Sequence, residues 1–504
     1  MNIYITTPIY YTNDIPHIGH AYTTIACDII SRFNKLSNND VFFLTGTDEH
    51  GQKVEKAAKN ANLDPKIFVD KLSINFEKLV SDLGCDITDF IRTTEERHIK
   101  SAQALWNKLV EKDQIYKSYY EGWYSIRDEA FYHEDELIKI DEKFITQNGS
   151  PVEWVKEESY FFKLSNWEKK LLNYYENNPQ KISPKSRYNE VISFIKSGLR
   201  DLSISRTTFK WGVKVPNNEK HVMYVWIDAL CNYLTAIGYP KINESKFKKY
   251  WPAIHIVGKD ILRFHAVYWP AFLMAAELEL PKKIFAHGWW TNEGKKISKS
   301  LGNSIDPYEI INDYGLDQMR FFLFREVPFG NDGDFSKSAI SKRVNADLSN
   351  NYGNLIQRIL TFIVKNCDST IAPSSQFNEV DKKLLEEFNL IFDSYLNFMN
   401  NQQIDKAIKL IMDLLSLTNA YVDEQAPWSL KKTDPRRMKV VLYIIVNIII
   451  KSTIMLYPII PGSSKKVLSF FNINIDEISF ENFSDLVDYK LHINNHSPIF
   501  PRIE

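Results

Sequence analysis

The residues best suited to chemistry lie near the start of the chain, in Pro16-His17-Ile18-Gly19-His20. An apolar alternation that reads as a strand, Ile3-Tyr4-Ile5-Thr6-Thr7, precedes them. They open a segment whose apolar residues, Ile18, Tyr22, Ile25, Ile29, Phe33 and Leu36, recur at helical spacing. Pro16 suits a first helical turn, where its missing N–H costs nothing. His17 and His20 then share one face of a helix start. The backbone N–H groups there are expected to be unpaired and the dipole end positive. Gly19 leaves room for a ligand close to the backbone. Strand, tight turn and donor-rich helix start outline a phosphate site. A second stretch, Lys295-Lys296-Ile297-Ser298-Lys299-Ser300, follows the apolar run Ile284 to Trp290 and precedes Leu301-Gly302-Asn303. Lysines and serines on a Gly-flanked loop suit a mobile clamp on a polyphosphate, opposing the charge that develops on a leaving pyrophosphate. Taken singly, the first stretch also reads as polar residues at a helix start and the second as a solvated loop.

The elements that must hold these stretches follow from the patterning. Val41-Phe42-Phe43-Leu44 reads as a buried strand, ending in Thr45-Gly46-Thr47-Asp48-Glu49-His50-Gly51. Polar and Gly residues at a strand's carboxyl end stand where open parallel sheets bind ligands. A βαβα order over residues 1–112 predicts the first half of a doubly wound parallel sheet. Residues 113–220 change character, with Tyr119 to Ser125 and Asp128 to Tyr132 aromatic, acidic and of short period. We read them as an inserted α+β subdomain. Sheet patterning returns over 221–290, with a strand at Ile254 to Val257 and a helix from Ile261 to Glu277. Residues 291–335 carry the lysine loop and a linking subdomain. Residues 336–504 are helix-patterned, with Val344, Leu348, Tyr352, Leu355, Ile359 and Ile363 in one stripe, and predict an α-helix bundle.

The chain has 504 residues and a net charge of -1, so a polyanionic partner has to be met by local patches. Four scattered cysteines, Cys27, Cys85, Cys231 and Cys367, form no CxxC pair and suggest neither a disulfide framework nor a zinc ribbon. The N-terminal residues read as a strand rather than a signal sequence. The most apolar run, Val440 to Ile450, is broken by Asn447 and closed by Lys451; it reads as a buried helix too short to span a membrane. The expectation is a soluble, cytoplasmic protein.

The two signature stretches, in this order, resemble the HIGH and KMSKS elements of class I aminoacyl-tRNA synthetases, with Ile297 where Met is commoner. Further stretches make the resemblance specific to the methionyl-tRNA synthetase family: Pro8-Ile9-Tyr10-Tyr11, Thr45 to Gly51, Val225-Trp226-Ile227-Asp228-Ala229, Gly258-Lys259-Asp260, Phe264-His265 and Trp269-Pro270-Ala271. It runs from Tyr4 to about Trp428. It implies a Rossmann-type catalytic sheet split by the insert and an anticodon-binding bundle. The implied reaction joins methionine to the 3′ end of tRNA(Met), including initiator tRNA, by way of methionyl-adenylate, with ATP and Mg²⁺. The resemblance gives His17, Gly19, His20, Lys259, Lys296, Ser298 and Lys299 to ATP, with His17, His20, Lys296 and Lys299 catalytic. It gives Ile9, Tyr11, Asp48, Trp226, Ala229, Tyr233, Asp260, His265 and Trp269 to methionine, Asp48 meeting the ammonium. It gives Asn350, Asn354, Arg358, Pro427 and Trp428 to the anticodon. For the aromatic residues, core packing is the plain alternative. Leu230 stands where some members carry Pro. Glu121 to Leu137 contains no Cys where many members hold a zinc knuckle, so the chain resembles the zinc-free branch. No C-terminal β-barrel follows the bundle, which points to a monomer. Related enzymes for branched apolar amino acids are much longer, because they insert an editing domain. The competing readings are a small-molecule adenylyl- or cytidylyltransferase, usually far shorter, and a tRNA-binding paralogue that has lost its chemistry.

Overall fold

Strands that are apolar on both faces have to be covered on both faces, and that is the condition of a parallel sheet. In the computed structural model, Asn2–Thr6 (β1), Tyr10–Tyr11 (β2), Asp40–Asp48 (β3), Asp89–Arg92 (β4), Ile182–Ser183 (β5), Ile254–Gly258 (β6) and Lys283–His287 (β7) form a seven-stranded sheet. Its order is β5-β7-β6-β1-β3-β2, with β4 also on β3. The pairs β1–β6, β6–β7, β5–β7, β2–β3 and β3–β4 are parallel. Gly46 is obligatory, since a Cβ there would stand 1.9 Å from the Ile91 carbonyl oxygen on β4. The structure describes all residues except 13–14, 129, 141–142, 148, 293–294, 297–304, 482, 484, 486, 495 and 504, together with the side chains at 130, 292, 295 and 296. The chain divides into two compact units. A sheet unit comprises Asn2–Pro16 and Phe42–His287, and a helical unit comprises Met1, His17–Val41 and Gly288–Glu504.

Three helices matter below: Ile18–Leu36 (α1), Glu96–Glu111 (α2) and Val225–Leu230 (α3). Between β4 and β5 the sheet unit carries a separate antiparallel sheet. Ile115–Ser125 pairs with Glu153–Phe162 from Ile115↔Phe162 to Tyr124↔Glu153. The Arg206 guanidinium lies over the rings of Phe131, Tyr224 and Tyr124 at 4.1, 4.8 and 5.3 Å. A buried cation caged by aromatic faces is a strong local tie, and it stands in a segment that holds no cysteine. Among the described residues no group of three or more His, Cys, Asp and Glu side chains is arranged to hold a metal ion. From the missing cysteine pairs in this segment, purified protein is expected to carry no stoichiometric zinc and to keep its unfolding temperature after chelation. About one zinc per chain by elemental analysis, the load of a four-ligand structural site, would be the contrary result.

In the helical unit α1 is tied to distant sequence by a buried ion cluster. Asp28 accepts from Arg32 at 2.8 Å and from Arg320 at 2.6 Å, and Arg320 also donates to the carbonyls of Pro458 and Ile459. The predicted stripe Val344, Leu348, Tyr352, Leu355, Ile359 and Ile363 is buried throughout. The run expected to be too short for a membrane belongs to a 22-residue helix, Pro435–Leu456, which by length and composition alone is apolar enough to cross one. It is longer than its apolar run because Asp434 caps it and Pro435 opens it. It is a core helix of this unit. Two of its polar groups find partners inside: Asn447 accepts from the Val487 N–H at 2.8 Å, and Lys451 donates to the Phe483 carbonyl at 2.5 Å.

Candidate functional site

The start of α1 differs from its expectation in an instructive way. The helix begins at Ile18, His17 is its N-cap and Pro16 lies outside it. The His17 Nδ1 accepts from the Gly19 N–H at 3.0 Å, and the His20 Nδ1 accepts from the His17 N–H at 3.1 Å. The Ile18 N–H donates to the Ile305 carbonyl at 3.2 Å. The first-turn donors expected to be open are thus engaged. The space over Gly19 is taken as well, since a Cβ there would meet the His17 ring at 2.9 Å. The glycine serves the cap. Backbone N–H groups can only donate, so both Nδ1 atoms are acceptors and the neutral rings carry their protons on Nε2. The two imidazoles lie 3.9 Å apart, centre to centre. Ile305 lies beyond the lysine loop in sequence, five residues after Ser300. Lys296 pairs through its backbone with Thr291. Ser298 and Lys299 lie outside the described residues.

In the sheet unit four of the predicted pocket residues, Trp226, Tyr233, His265 and Trp269, come together ring to ring. His265 sits in a wide turn of helix, Phe264–Tyr268, with i→i+5 bonding. Such turns recur at functional sites. Its Nδ1–H donates to the Ile261 carbonyl at 3.0 Å, so Nε2 accepts, and the Tyr233 hydroxyl donates to it at 2.7 Å. Burial pushes the His265 imidazole down to about 4, the Ile261 carbonyl and Asp260 pulling the other way. The ring is neutral at pH 7. Trp226 stacks on Phe264 at 3.7 Å with 6° between the planes, and its ring meets His265 edge-on at 6.1 Å. Tyr233 is anchored by the Tyr4 hydroxyl on its carbonyl at 2.8 Å and lies 4.1 Å from the His255 ring. Trp269 is wholly buried, 6.1 Å from Tyr233. Ala229 and Asp48 are buried, whereas Ile9, Tyr11, Lys259 and Asp260 are partly or fully exposed.

The third group lies in the helical unit. Asn350 and Asn354 are exposed. Arg358 donates to Asp423 at 3.0 Å, and its guanidinium lies 5.6 Å from the centre of the Trp428 ring. The three polar residues are not on one regular helix. Val344–Gly353 is wide-turn and Asn354–Asn366 is α-helical, so the spacing of four holds a strict face only from Asn354 to Arg358. Ala426 takes a left-handed conformation, φ 41°. Pro427 then opens a short helix, itself buried, and leaves Trp428 44% exposed.

Comparison with known proteins gives the family. The family profile described as "tRNA synthetases class I (M)" matches residues 3–143 and 138–360. The profile "Anticodon binding domain of methionyl tRNA ligase" matches residues 371–489. The chain is 53% identical to the methionine–tRNA ligase of Rickettsia conorii over 510 residues, covering 99% of each. The chain belongs to the methionyl-tRNA synthetase family. It is 49% identical to the Brucella suis methionine–tRNA ligase, covering 99% of this chain and 97% of that one. Among solved structures, Mycobacterium tuberculosis methionyl-tRNA synthetase in complex with methionyl-adenylate superposes with a TM-score of 0.97 at 43% identity, covering 99% of this chain and 100% of that one.

For a methionyl-tRNA synthetase, sequence reasoning passed over several residues. Tyr4, His255 and Phe264 hold the pocket's aromatic and imidazole rings in place. Their signal was weak, because aromatic residues in apolar runs read as core. His50, His98 and Asp228 form a buried hydrogen-bonded group. Asp228 had a signal, a carboxylate within the apolar run Val225 to Leu230, since a buried charge has to be paired.

Proposed function

We propose that the protein joins L-methionine to tRNA(Met), initiator and elongator alike, in two steps. The methionine carboxylate attacks the α-phosphate of ATP in line, giving methionyl-adenylate and pyrophosphate. The methionyl group then passes to the terminal ribose of the tRNA, releasing AMP. Neither step needs a covalent enzyme intermediate, so the protein contributes positioning and charge stabilisation. Mg²⁺ brought with ATP would be held by the nucleotide and would supply further charge neutralisation beside His17 and His20. The Nε2–H groups of His17 and His20 donate to phosphate oxygens. Gly19 lets the His17 ring fold back to cap the helix. Lys296, Ser298 and Lys299 close over the leaving pyrophosphate, and Lys259 takes the adenosine side. Asp48 takes the ammonium, and Asp260 lies near the reacting groups. Ile9, Tyr11, Trp226, Ala229, Tyr233, His265 and Trp269 enclose the side chain. A neutral His265 whose acceptor is filled by Tyr233 suits a polarizable thioether. The enzyme works as a cytoplasmic monomer.

The observation that carries this reading is the full-length likeness to a synthetase holding methionyl-adenylate. ATP–pyrophosphate exchange without tRNA tests it. Exchange should require methionine; exchange driven by another carboxylate, or none at all, would refute it. The same assay gives a second expected result. Homocysteine lacks one methyl group, which a pocket discriminates by only about 1–3 kcal/mol. It should be activated and then released as the thiolactone, its thiol attacking its own activated carboxyl and expelling AMP. Incubation at high homocysteine with neither exchange nor thiolactone would contradict this.

A further inference from the structure

Asp228 is wholly buried in α3, between Trp226 and Ala229 of the proposed amino-acid wall. The His50 Nδ1–H donates to its Oδ2 at 2.7 Å, and the His98 Nε2–H donates to its Oδ1 at 2.7 Å. Burial alone would raise this carboxyl, but attraction to His50 and the bonds from both imidazoles hold it at about 2. The Thr235 hydroxyl donates to the Cys231 carbonyl at 3.0 Å and lies 3.3 Å from the His98 Nδ1. His98 is 0% and His50 5% exposed. His50 lies two residues beyond Asp48, its ring edge-on to Trp211 at 5.5 Å. Trp211 in turn donates to the Glu49 carbonyl at 2.6 Å.

Three buried ionisable side chains are an expensive way to fill a core. Apolar residues of the same volume would stabilise it as well or better. What a carboxylate with two directed bonds adds is a fixed distance. Here the bonds join three elements: the loop after β3, α2 and α3. The first continues from Asp48, the last residue of β3, and the third carries Trp226 and Ala229. We infer that Asp228 is a positioning residue for the amino-acid pocket, holding the Asp48 segment and the Trp226–Ala229 wall at the separation that admits a methionine-length side chain. This rests on the proposed function. An imidazole with Nδ1–H on a carboxylate also has the form of a general base, and the experiment separates the two roles.

An Asn amide nitrogen mimics Nδ1 of histidine, and a Gln amide nitrogen mimics Nε2. Asp228 is reached by Nδ1 of His50 and by Nε2 of His98. The positioning role therefore predicts opposite patterns at the two sites. His50→Gln and His98→Asn should raise the KM for methionine about ten- to a hundredfold, the range for truncating a buried bond to a charged group. They should leave the KM for ATP near its wild-type value and narrow the preference for methionine over the longer ethionine. His50→Asn and His98→Gln should restore most of the methionine affinity. Exchange and tRNA charging are measured on the full chain. Equal KM values for the Asn and Gln variants at either site would overturn the inference. So would His50→Asn with normal exchange and lost transfer, which marks a base. If His50→Gln does not fold, the His98 pair carries the same contrast. Wild-type protein without methionine-dependent exchange would instead refute the proposed function.

Discussion

Lys299→Ala is expected to slow methionine-dependent ATP–pyrophosphate exchange by about a hundred- to a thousandfold, the usual loss when a preorganised charge stabiliser is removed. The KM for methionine should change little. The reason is where negative charge grows. As the α-phosphate is attacked, charge accumulates on the departing pyrophosphate, and a lysine on the closing loop meets it in the transition state more than in the ground state. Such an interaction lowers kcat when lost and leaves ground-state binding alone. Lys299 lies outside the described residues. Among the described residues that follow it, the Ile305 carbonyl accepts the Ile18 N–H at 3.2 Å, next to His17 in the chain. The measurement is exchange at saturating ATP over a range of methionine concentrations. A variant with normal exchange rate and weakened methionine binding would move Lys299 from the phosphate side to the amino-acid side.

What the sequence disclosed, and what it did not, divides along a physical line. Patterns generated by burial were readable: the buried apolar run of β1, the helical spacing from Ile18 to Leu36, and the stripe from Val344 to Ile363. Features settled by single hydrogen bonds were not. Nothing in Pro16 to His20 distinguishes a helix that starts at Pro16 from one capped by the His17 ring, because the choice depends on how that ring folds over Gly19. The wide turns at Phe264–Tyr268 and Val344–Gly353 leave no mark on a pattern read at 100° per residue. Long-range pairings were also hidden. Asp28 and Arg320 are 292 residues apart, and each alone reads as a surface charge on a helix. The His50–Asp228–His98 group spans three segments in the same way. The proposed pocket was legible mainly through motif resemblance. Its internal logic, with Ile261 fixing His265 and His265 fixing the Tyr233 hydroxyl, appears only in the fold.

Trp428→Ala should separate the two steps of the reaction. Charging of tRNA(Met) is expected to fall about ten- to a hundredfold in kcat/KM, consistent with roughly 1–3 kcal/mol for one stacked base. Methionine-dependent exchange, which needs no tRNA, should stay near normal. Two observations motivate this. The indole is 44% exposed at the start of a short helix, held outward by the left-handed turn at Ala426 and the buried ring of Pro427. An exposed aromatic face on a rigid turn suits an unstacked base, as recognition of single-stranded RNA requires. The guanidinium of Arg358 lies over the same indole and bonds to Asp423 at 3.0 Å. Removing Trp428 therefore takes away a stacking surface and one side of the Arg358 mount. Asn354 and Arg358, one helical turn apart, are the groups we propose to read base edges. Their substitution should loosen discrimination among anticodon variants of tRNA(Met) more than it slows charging of the CAU form. The assays are aminoacylation of wild-type and anticodon-substituted transcripts, run beside exchange on the same preparations. If Trp428→Ala abolishes exchange as well, the indole is part of the structural core. If charging is untouched, the anticodon is read elsewhere on the protein.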